Sequence, residues 1–264
     1  MNDVLKSSVE LILHLLYGDI LSPVAKMVGG ALVKVFERGS NLLLPDKLKN
    51  ASTKELFRHY MDKYKEKLDR IPENKRCMVP TPIGVPAVDK LTYTVDEEIA
   101  NLYISLLASA SDTDTSKQVQ PSFVSIVESL SVDEAHIIKF LKKRIDREEF
   151  DLAFYSIRGY KTNTSGFRTI ADHLTIIPYA VYGLDSCENE GLYLANLVRL
   201  GILTIPPRLT LLGSREYDDI LKYIGFNQLK AKLVPSEYVS LRCIKGYFSI
   251  TPFGKSFINA VSRQ

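Results

Sequence analysis

Three short segments place a serine or threonine three residues ahead of a glutamate, each directly before an apolar stretch. These segments are Ser52–Glu55, Thr94–Glu97 and Ser131–Glu134. In this spacing, called a capping box, the hydroxyl accepts a backbone N–H at the helix start, and the carboxylate reaches back to the backbone of the first residue. The chain is therefore predicted to contain three helices that begin at these positions, and to be mainly α-helical.

The residues after each capping box have helical periodicity. The first helix runs to about Ile71, and the third to about Arg147. The expected inward positions recur at intervals of three and four. They are Leu56, Tyr60, Tyr64 and Leu68 in the first helix, Ile99, Leu102, Tyr103, Leu106, Leu107 and Ala110 in the second, and Ile137, Ile138, Leu141 and Ile145 in the third.

Prolines divide this helical half of the chain. Pro80, Pro82 and Pro86 lie within residues 79–88, and proline disfavours helix in the residue before it, so we expect an extended crossing segment there. Residues 111–120 are polar and without periodicity, which is typical of a loop. A short helix is expected from Pro121, with Phe123, Ile126, Val127 and Leu130 inward.

The C-terminal part has a different pattern. Residues 155–166 are polar and contain glycines, and we place a domain boundary near them. We expect a helix over 192–200 that ends at Gly201, followed by a strand over 202–205 and a partly helical insertion over 206–237. A β-hairpin of 239–244 with 247–251 is expected next. The last expected element is a helix from Pro252, with Phe253, Phe257, Ile258 and Val261 inward. Helix, strand, hairpin and helix is the order of a winged-helix module.

The predicted fold is therefore mainly α, in two parts. A helical domain spans 1–155 and includes apolar N-terminal helices in residues 1–44. A winged-helix-like α+β domain with a small β-hairpin spans 165–264.

Composition restricts the classes of function. The chain has 34 basic and 31 acidic residues, a net charge of +3, which by itself does not indicate a nucleic-acid partner. Its longest stretch without a charged residue has about 13 residues, from Ile99 to Ser111, and a membrane span needs about 20. The three cysteines, Cys77, Cys187 and Cys243, are far apart and form no CxxC pair. We expect a protein of the reducing cytoplasm.

Two patterns resemble pieces of reactive centres. Asp133-Glu134-Ala135-His136 spells a helicase motif, but a nucleotide site also needs a phosphate loop, and the only Gly-Lys-Ser, at 254–256, follows the motif instead of preceding it. Asp172-His173 with Cys187 would form a nucleophilic site only if they met in space. We interpret both as structural. No catalytic, metal-binding or cofactor-binding residue is therefore assigned, and the protein is not expected to be an enzyme.

Two binding alternatives remain open. A winged helix can bind DNA through a recognition helix, here residues 188–200, but Glu188 and Glu190 at its start would repel phosphates. The wing side is more basic, and its candidate nucleic-acid contacts are Arg208, Arg215, Lys230, Lys232, Arg242 and Lys245. The apolar stretch around Gly29-Gly30 is most simply core packing; contact with a membrane surface is the second alternative.

The order of signals from Met78 to Ala135 resembles that of the abortive infection alpha (Abi-alpha) family. The segments that carry the resemblance are Pro80-Thr81-Pro82, Asp96-Glu97-Glu98, Leu102 to Ala110, Pro121-Ser122-Phe123-Val124 and Leu130 to Ala135. The tail is similar too, in Asn196 to Ile202 and in Tyr247 to Lys255. The resemblance covers about 45–262 and leaves the first 44 residues outside. Gln120 departs from it, since we would expect histidine before Pro121.

This resemblance implies a role in bacterial anti-phage defence, in which infection is aborted by stopping the infected cell. It implies no reaction, because the family brings no catalytic residues that can be placed on this chain. The leading hypothesis is a non-enzymatic defence component that acts through contacts with a host or phage protein. A DNA-binding regulator and a membrane-acting effector are the alternatives.

Overall fold

The computed structural model describes residues 24, 27–28, 51–161, 166–207, 211, 215–233 and 238–263. The predicted N-terminal helices therefore lie almost wholly outside the described residues. The chain forms two compact units, Met1–Ala135 with Ser256–Gln264, and His136–Lys255. The domain limits expected from the sequence, 1–155 and 165–264, remain a prediction.

The first unit is helical. Its helices are α1 (Ala51–Asp69), α2 (Thr81–Leu91), α3 (Glu97–Ala110), α4 (Ser122–Glu128), the start of α5 (Val132–Ile145) and most of α10 (Pro252–Val261). Helix α3 contacts α1, α2 and α4, and every residue from Leu102 to Ala110 is buried. The longest uncharged stretch of the chain thus forms most of the central helix of this unit. Because other helices surround α3, it has almost no solvated face on which a charged side chain could lie.

The C-terminal residues pack within this unit. The Phe123 and Phe257 rings meet edge to face with centroids 5.3 Å apart. The Ser109 hydroxyl donates to the carbonyl of Ala260 at 2.7 Å. Near the end of the chain, the Arg263 guanidinium pairs with the buried carboxylate of Asp112. Burial acts to raise the pKa of Asp112, but the hydrogen bond from the Asp114 N–H and the pairing with Arg263 together lower it.

The predicted helices of this half are confirmed, but their caps differ. At α5 both bonds of the capping box are formed, from the Ser131 N–H to Glu134 Oε2 at 2.7 Å and from the Glu134 N–H to Ser131 Oγ at 3.2 Å. At α3 the cap is Asp96, whose Oδ1 accepts the N–H groups of Glu98 and Ile99. The prediction that Thr94 caps α3 was wrong. The side chains of residues 51–54 lie outside the described part of the chain.

The extended segment predicted around Pro80–Pro86 was also wrong, because these residues belong to α2. Pro80 lies at the N-cap and Pro82 in the first turn, where a missing N–H costs nothing. Pro86 lies inside the helix and removes one hydrogen bond. The buried residues Ile83, Val88 and Leu91 show what outweighs that loss, since apolar packing overrides local propensity.

The second unit is built around an antiparallel sheet. Its strands are β1 (Asp151–Tyr160), β2 (Phe167–Leu174), β3 (Leu203–Thr204) and β4 (Ser240–Ile250), in the order β2-β1-β4-β3. Its helices, besides the end of α5 and the start of α10, are α6 (Ile177–Ala180), α7 (Glu190–Arg199), α8 (Glu216–Tyr223) and α9 (Phe226–Leu233). The fold class is therefore mixed α+β. The described part of the chain is largely helical, as predicted, but it contains a four-stranded sheet instead of a small hairpin.

The predicted hairpin around Lys245-Gly246 was wrong. Residues 240–250 form one continuous strand that pairs with β1 from end to end. Gly246 is required for a close approach, because a Cβ atom there would overlap the ring of Phe154 across the strand pair. The sequence pattern predicts a turn at this glycine, which is its other common use. Strands β1 and β2 were missed, although residues 155–160 had been placed near a boundary.

The end of α7 was predicted correctly. Gly201 has φ +74° and donates its N–H to Val198 O at 2.9 Å, and the Ile202 N–H bonds Leu197 O at 3.0 Å. These two bonds form a Schellman motif, in which glycine tolerates the left-handed backbone. The short strand that follows, the helical insertion and the last helix are confirmed as well, except that Phe253 is partly exposed instead of inward.

Candidate functional site

The two faces of the sheet have different surroundings. Strands β1 and β4 pair without interruption over residues 151–160, so their side chains alternate strictly between the faces. One face carries Ala153, Tyr155 and Ile157 and packs against the apolar side chains of α8 and α9. We call it the helix-covered face. The opposite face carries Leu152, Phe154, Ser156, Arg158 and Tyr160, and we call it the second face.

The second face changes from apolar and buried to charged and exposed along β1. Leu152 and Phe154 are buried, and Phe248 of β4 lies beside Phe154 with ring centroids 5.0 Å apart. Further along, Arg158 and Tyr160 are half-buried. The second face is thus part of the hydrophobic core at one end and open to solvent at the other.

Two arginines and two aromatic rings lie together at the open end. Arg158 of β1 and Arg242 of β4 are directly opposite each other in the register, as are Tyr160 of β1 and Phe167 of β2. The Arg158 guanidinium lies 4.1 Å from the centre of the Phe167 ring, and that of Arg242 lies 4.8 Å from the centre of the Tyr160 ring. The two rings are 6.0 Å apart. We call these four residues the arginine–aromatic cluster.

The cluster concentrates positive charge. Like charges directly opposite each other destabilise a strand pair, and the aromatic rings compensate only in part through cation–π contacts. Within the described residues, no carboxylate forms an ion pair with Arg158 or Arg242. The Nε of Arg158 is buried and has no hydrogen-bond partner there. Chemically, the arrangement can accept an anion beside a planar ring.

Of the six basic residues predicted as nucleic-acid contacts, the five that the structure describes lie on or beside three different elements, β4, α8 and α9. Only Arg242 belongs to the arginine–aromatic cluster. Lys245 lies on the helix-covered face, with Nζ 4.6 Å from the centre of the Tyr217 ring. Lys230 and Lys232 are exposed on α9, Arg215 is exposed just before α8, and Arg208 lies outside the described residues.

The other three members of the cluster were missed because β1 and β2 were not predicted. A signal was present in residues 151–160, which are rich in Tyr, Phe and Ile and interrupted by few polar residues, a composition typical of strands. The single glycine in this stretch, Gly159, favours a loop when the sequence is considered alone. In the structure a Cβ atom there would overlap the Tyr238 ring, so this glycine also permits a close approach.

The two acidic residues of the helicase-like motif have structural roles. Asp133 and Glu134 are both buried, and the Glu134 carboxylate is held by the backbone and the hydroxyl of Ser131. In the part of the chain that the structure describes, no group of three or more His, Cys, Asp or Glu side chains is placed to hold a metal ion.

The structure places His173 in an aromatic environment. Its ring lies 4.6 Å from the ring of Phe154 and 5.2 Å from that of Phe248. The neighbouring Asp172 accepts hydrogen bonds from the Ser156 hydroxyl and from the His173 backbone. Cys187 is exposed in the short turn before α7, and its described contacts do not include His173. The structure therefore does not bring these residues together as a nucleophilic site.

Glu190 is buried, whereas it was expected on the surface of a recognition helix. Its side chain is only 7% exposed, and Oε1 accepts the N–H of Thr175 at 3.0 Å and the Thr175 hydroxyl. Burial raises the pKa of Glu190 to about 7, although both hydrogen bonds lower it. Glu190 therefore fastens the start of α7 to the turn after β2, and it would not repel a ligand at the surface.

The outer side of α7 carries one large exposed apolar residue, Leu192, which is 67% exposed, while Glu188 just before the helix is exposed as expected. Tyr182, in the segment between α6 and α7, is 99% exposed. Exposed aliphatic and tyrosine side chains are common at protein contacts. No helix among the described residues is long and apolar enough to cross a bilayer.

The model of a protein family described as abortive infection alpha matches residues 52–261. Among solved structures, the chain is similar to an uncharacterized protein from the hydrocarbon-degrading marine bacterium Alcanivorax borkumensis SK2, with 16% identity and a TM-score of 0.34, over 57% of this chain and 96% of that one. No curated protein matches the chain.

Proposed function

Because the chain belongs to the abortive infection alpha family, we propose that it is a non-enzymatic component of bacterial anti-phage defence that acts through protein contacts. The observation that carries the defence role is the family match over residues 52–261, which includes most of both compact units. We place this action in the cytoplasm, in keeping with three widely spaced cysteines, all of which are free.

The use of the buried carboxylates supports binding over catalysis. Glu134 closes a capping box, Asp112 pairs with Arg263, and Glu190 holds the turn at Thr175. Glu216 accepts from Arg144 at 2.5 Å and from the Ala153 N–H at 3.0 Å. Each of these acids has hydrogen-bond partners within the fold, and this use supports a structural role for them.

The outer side of α7 is the surface that we propose for the protein partner. Leu192 on this side, and Tyr182 in the segment between α6 and α7, expose apolar area that folding of this chain does not use. Burial of a leucine side chain at an interface contributes about 2 kcal/mol, and a tyrosine adds ring area at a low cost in side-chain entropy. Such residues are typical anchors of a contact between two proteins.

A plating assay tests this proposal. We expect cells that express the chain to plate phage less efficiently than cells with an empty vector. Leu192→Glu should abolish the difference, because a charge would then be buried at the interface. Val95→Glu is the matched control, since Val95 is 83% exposed in the loop before α3. Full protection by a stably produced Leu192→Glu protein would reject the α7 surface, and absence of protection by the wild type would reject the defence role.

A DNA-binding regulator that uses a winged helix is the second candidate. The observation that favours it is the order of α7, β3 and α10, and the basic residues Lys230 and Lys232 exposed on α9. A mobility-shift assay with duplex DNA at low and physiological salt tests it, because phosphate contacts give a steep salt dependence. The third candidate, an effector that acts at a membrane through residues 1–44, is tested by fractionation of the native protein with membranes.

A further inference from the structure

We infer that the arginine–aromatic cluster binds single-stranded nucleic acid, a partner class beyond the protein contact proposed for α7. The cluster consists of Arg158, Tyr160, Phe167 and Arg242, on the open end of the second face. It was not among the surfaces that sequence patterns indicated, and only the pairing of β1 with β2 and β4 assembles it.

The first argument is the charge. Arg158 and Arg242 lie opposite each other on neighbouring strands, where two like charges cost stability unless an anion lies between them. The buried Nε of Arg158 has no partner among the described residues, and Arg242 is exposed. Their direct neighbours on this face, Thr169 and Ser240, add hydroxyl groups. The carboxylate of Asp172 accepts the Ser156 hydroxyl and lies near His173 instead of pairing with either arginine. A phosphate group supplies the oxygen acceptors that two guanidinium groups need.

The second argument is the aromatic surface. Phe167 is 49% exposed and Tyr160 is half-buried, on adjacent strands 6.0 Å apart between ring centres. Exposed rings on a sheet surface, beside arginines, are a general means of stacking unpaired bases. A phosphate alone would need the arginines and not the rings. A nucleotide strand uses both, because its phosphates and its bases alternate along the chain.

The rings also favour a single strand over a duplex. In a duplex the faces of the bases are already stacked on each other, so a protein ring can reach them only by unstacking the helix. A negatively charged protein segment could use the arginines, but its carboxylates would gain little from Phe167. Among anionic polymers, a single-stranded nucleic acid therefore matches all four residues of the cluster.

The affinity is expected to be moderate and to depend on salt. The cluster itself contains only two arginines, and the net charge of the chain is only +3, so we expect few phosphate contacts. Non-specific binding of this kind has dissociation constants of about 1–100 μM at physiological salt. Each phosphate contact on a single strand contributes about −0.7 to the slope of log K against log salt.

Fluorescence anisotropy with labelled oligothymidylate and oligouridylate of about 20 nucleotides tests the inference on the full chain. We expect binding that weakens from about 50 to 200 mM salt. Arg242→Gln should weaken it at least about fivefold, and Arg158→Gln/Arg242→Gln should weaken it further and reduce the salt slope by about 1.4. Phe167→Ala should lower affinity with the slope unchanged, which a purely ionic contact would not show.

The matched control is Arg215→Gln/Lys230→Gln, which removes the same charge from exposed positions before α8 and on α9. We expect this variant to bind like the wild type. Circular dichroism of each variant establishes that it is folded, and Arg242→Gln alone, at an exposed position, keeps the test valid if the double variant unfolds.

Four results would overturn the inference. They are no anisotropy change at protein concentrations up to about 100 μM, equal binding by the Arg158/Arg242 double variant, an equal loss in the control variant, and tighter binding of a duplex than of the single strand. If the protein binds polyglutamate but neither oligonucleotide, and the double variant loses this binding, the partner of the cluster is an acidic protein and not a nucleic acid. None of these outcomes tests the defence proposal, which depends on the plating assay of the wild type and of Leu192→Glu.

Discussion

Ser131 and Glu134 cap each other across the start of α5, with the Ser131 N–H 2.7 Å from Glu134 Oε2 and the Glu134 N–H 3.2 Å from Ser131 Oγ. Each residue satisfies a backbone donor that the helix itself leaves without a partner. The acidic residue that resembled part of a nucleotide site is therefore committed to starting a helix, and its role is measurable as stability.

Ser131→Ala should lower the free energy of unfolding by about 1 kcal/mol, because the Glu134 N–H loses its acceptor at the N-terminus of α5. Urea denaturation measures the change. Ser125→Ala is the control, since Ser125 is exposed within α4, where alanine is the better helix former. Equal effects of the two substitutions would show that the capping box contributes nothing specific.

His136→Ala should leave phage protection intact, because its motif is interpreted as the first turns of a helix and not as a reactive centre. The measurement is the efficiency of plating, together with the amount of folded protein in the cells. Loss of protection by a stably folded His136→Ala protein would contradict this interpretation and would reopen the search for a catalytic role.

Stability should fall as pH rises from about 5 to 8, through the contribution of Glu190. Burial raises the pKa of this carboxyl from 4.5 to about 7, so between these values the folded state holds a proton that the unfolded state has released. The contribution is fully present below the unfolded pKa and is lost above the folded one, by up to about 3 kcal/mol.

Glu190→Gln should remove this part of the pH dependence, because the amide keeps an oxygen acceptor for Thr175 and cannot ionise. The measurement is urea denaturation at pH 5 and pH 8 for the wild type and the variant. Glu188→Gln, two residues earlier and exposed, should keep the wild-type pH dependence. If the slopes of wild type and Glu190→Gln are the same, Glu190 is not the titrating group.

Gly246→Ala should destabilise the protein by about 1–3 kcal/mol, because the new methyl group would overlap the buried ring of Phe154 across the strand pair. Thermal or chemical unfolding measures the loss. Gly191→Ala is the matched control, since a Cβ atom there meets nothing within 4 Å and α7 should gain about 0.5–1 kcal/mol. A neutral Gly246→Ala would show that β4 can shift to accommodate a side chain.

The helical half was accessible from sequence because its signals are local. A capping box spans four residues, and the inward positions of α3 and α5 recur every three or four, so both can be read without knowing what they contact. The error at Pro86 has the same origin. The local cost of proline is visible in the sequence, whereas the burial of Ile83 and Val88 that offsets it depends on helices elsewhere in the chain.

The sheet was less accessible because its pairings join distant residues. Gly246 and Gly159 are equally consistent with turns and with close packing, and only their neighbours Phe154 and Tyr238 distinguish these uses. The arginine–aromatic cluster combines residues 158–167 with residue 242, so no window of sequence contains it. Missing β1 and β2 meant missing three of its four members.

By itself, the sequence determined where α4, α5 and α10 begin, that Gly201 ends α7, and that the chain resembles a family of defence proteins, because caps, periodicity and motifs act over a few neighbouring residues. The tertiary structure decided that Gly246 lies inside a strand, that Glu190 is buried instead of exposed, and that Arg158 faces Arg242. These outcomes depend on which distant side chains share a face or exclude water, and the energies that decide between them arise only when the chain has folded.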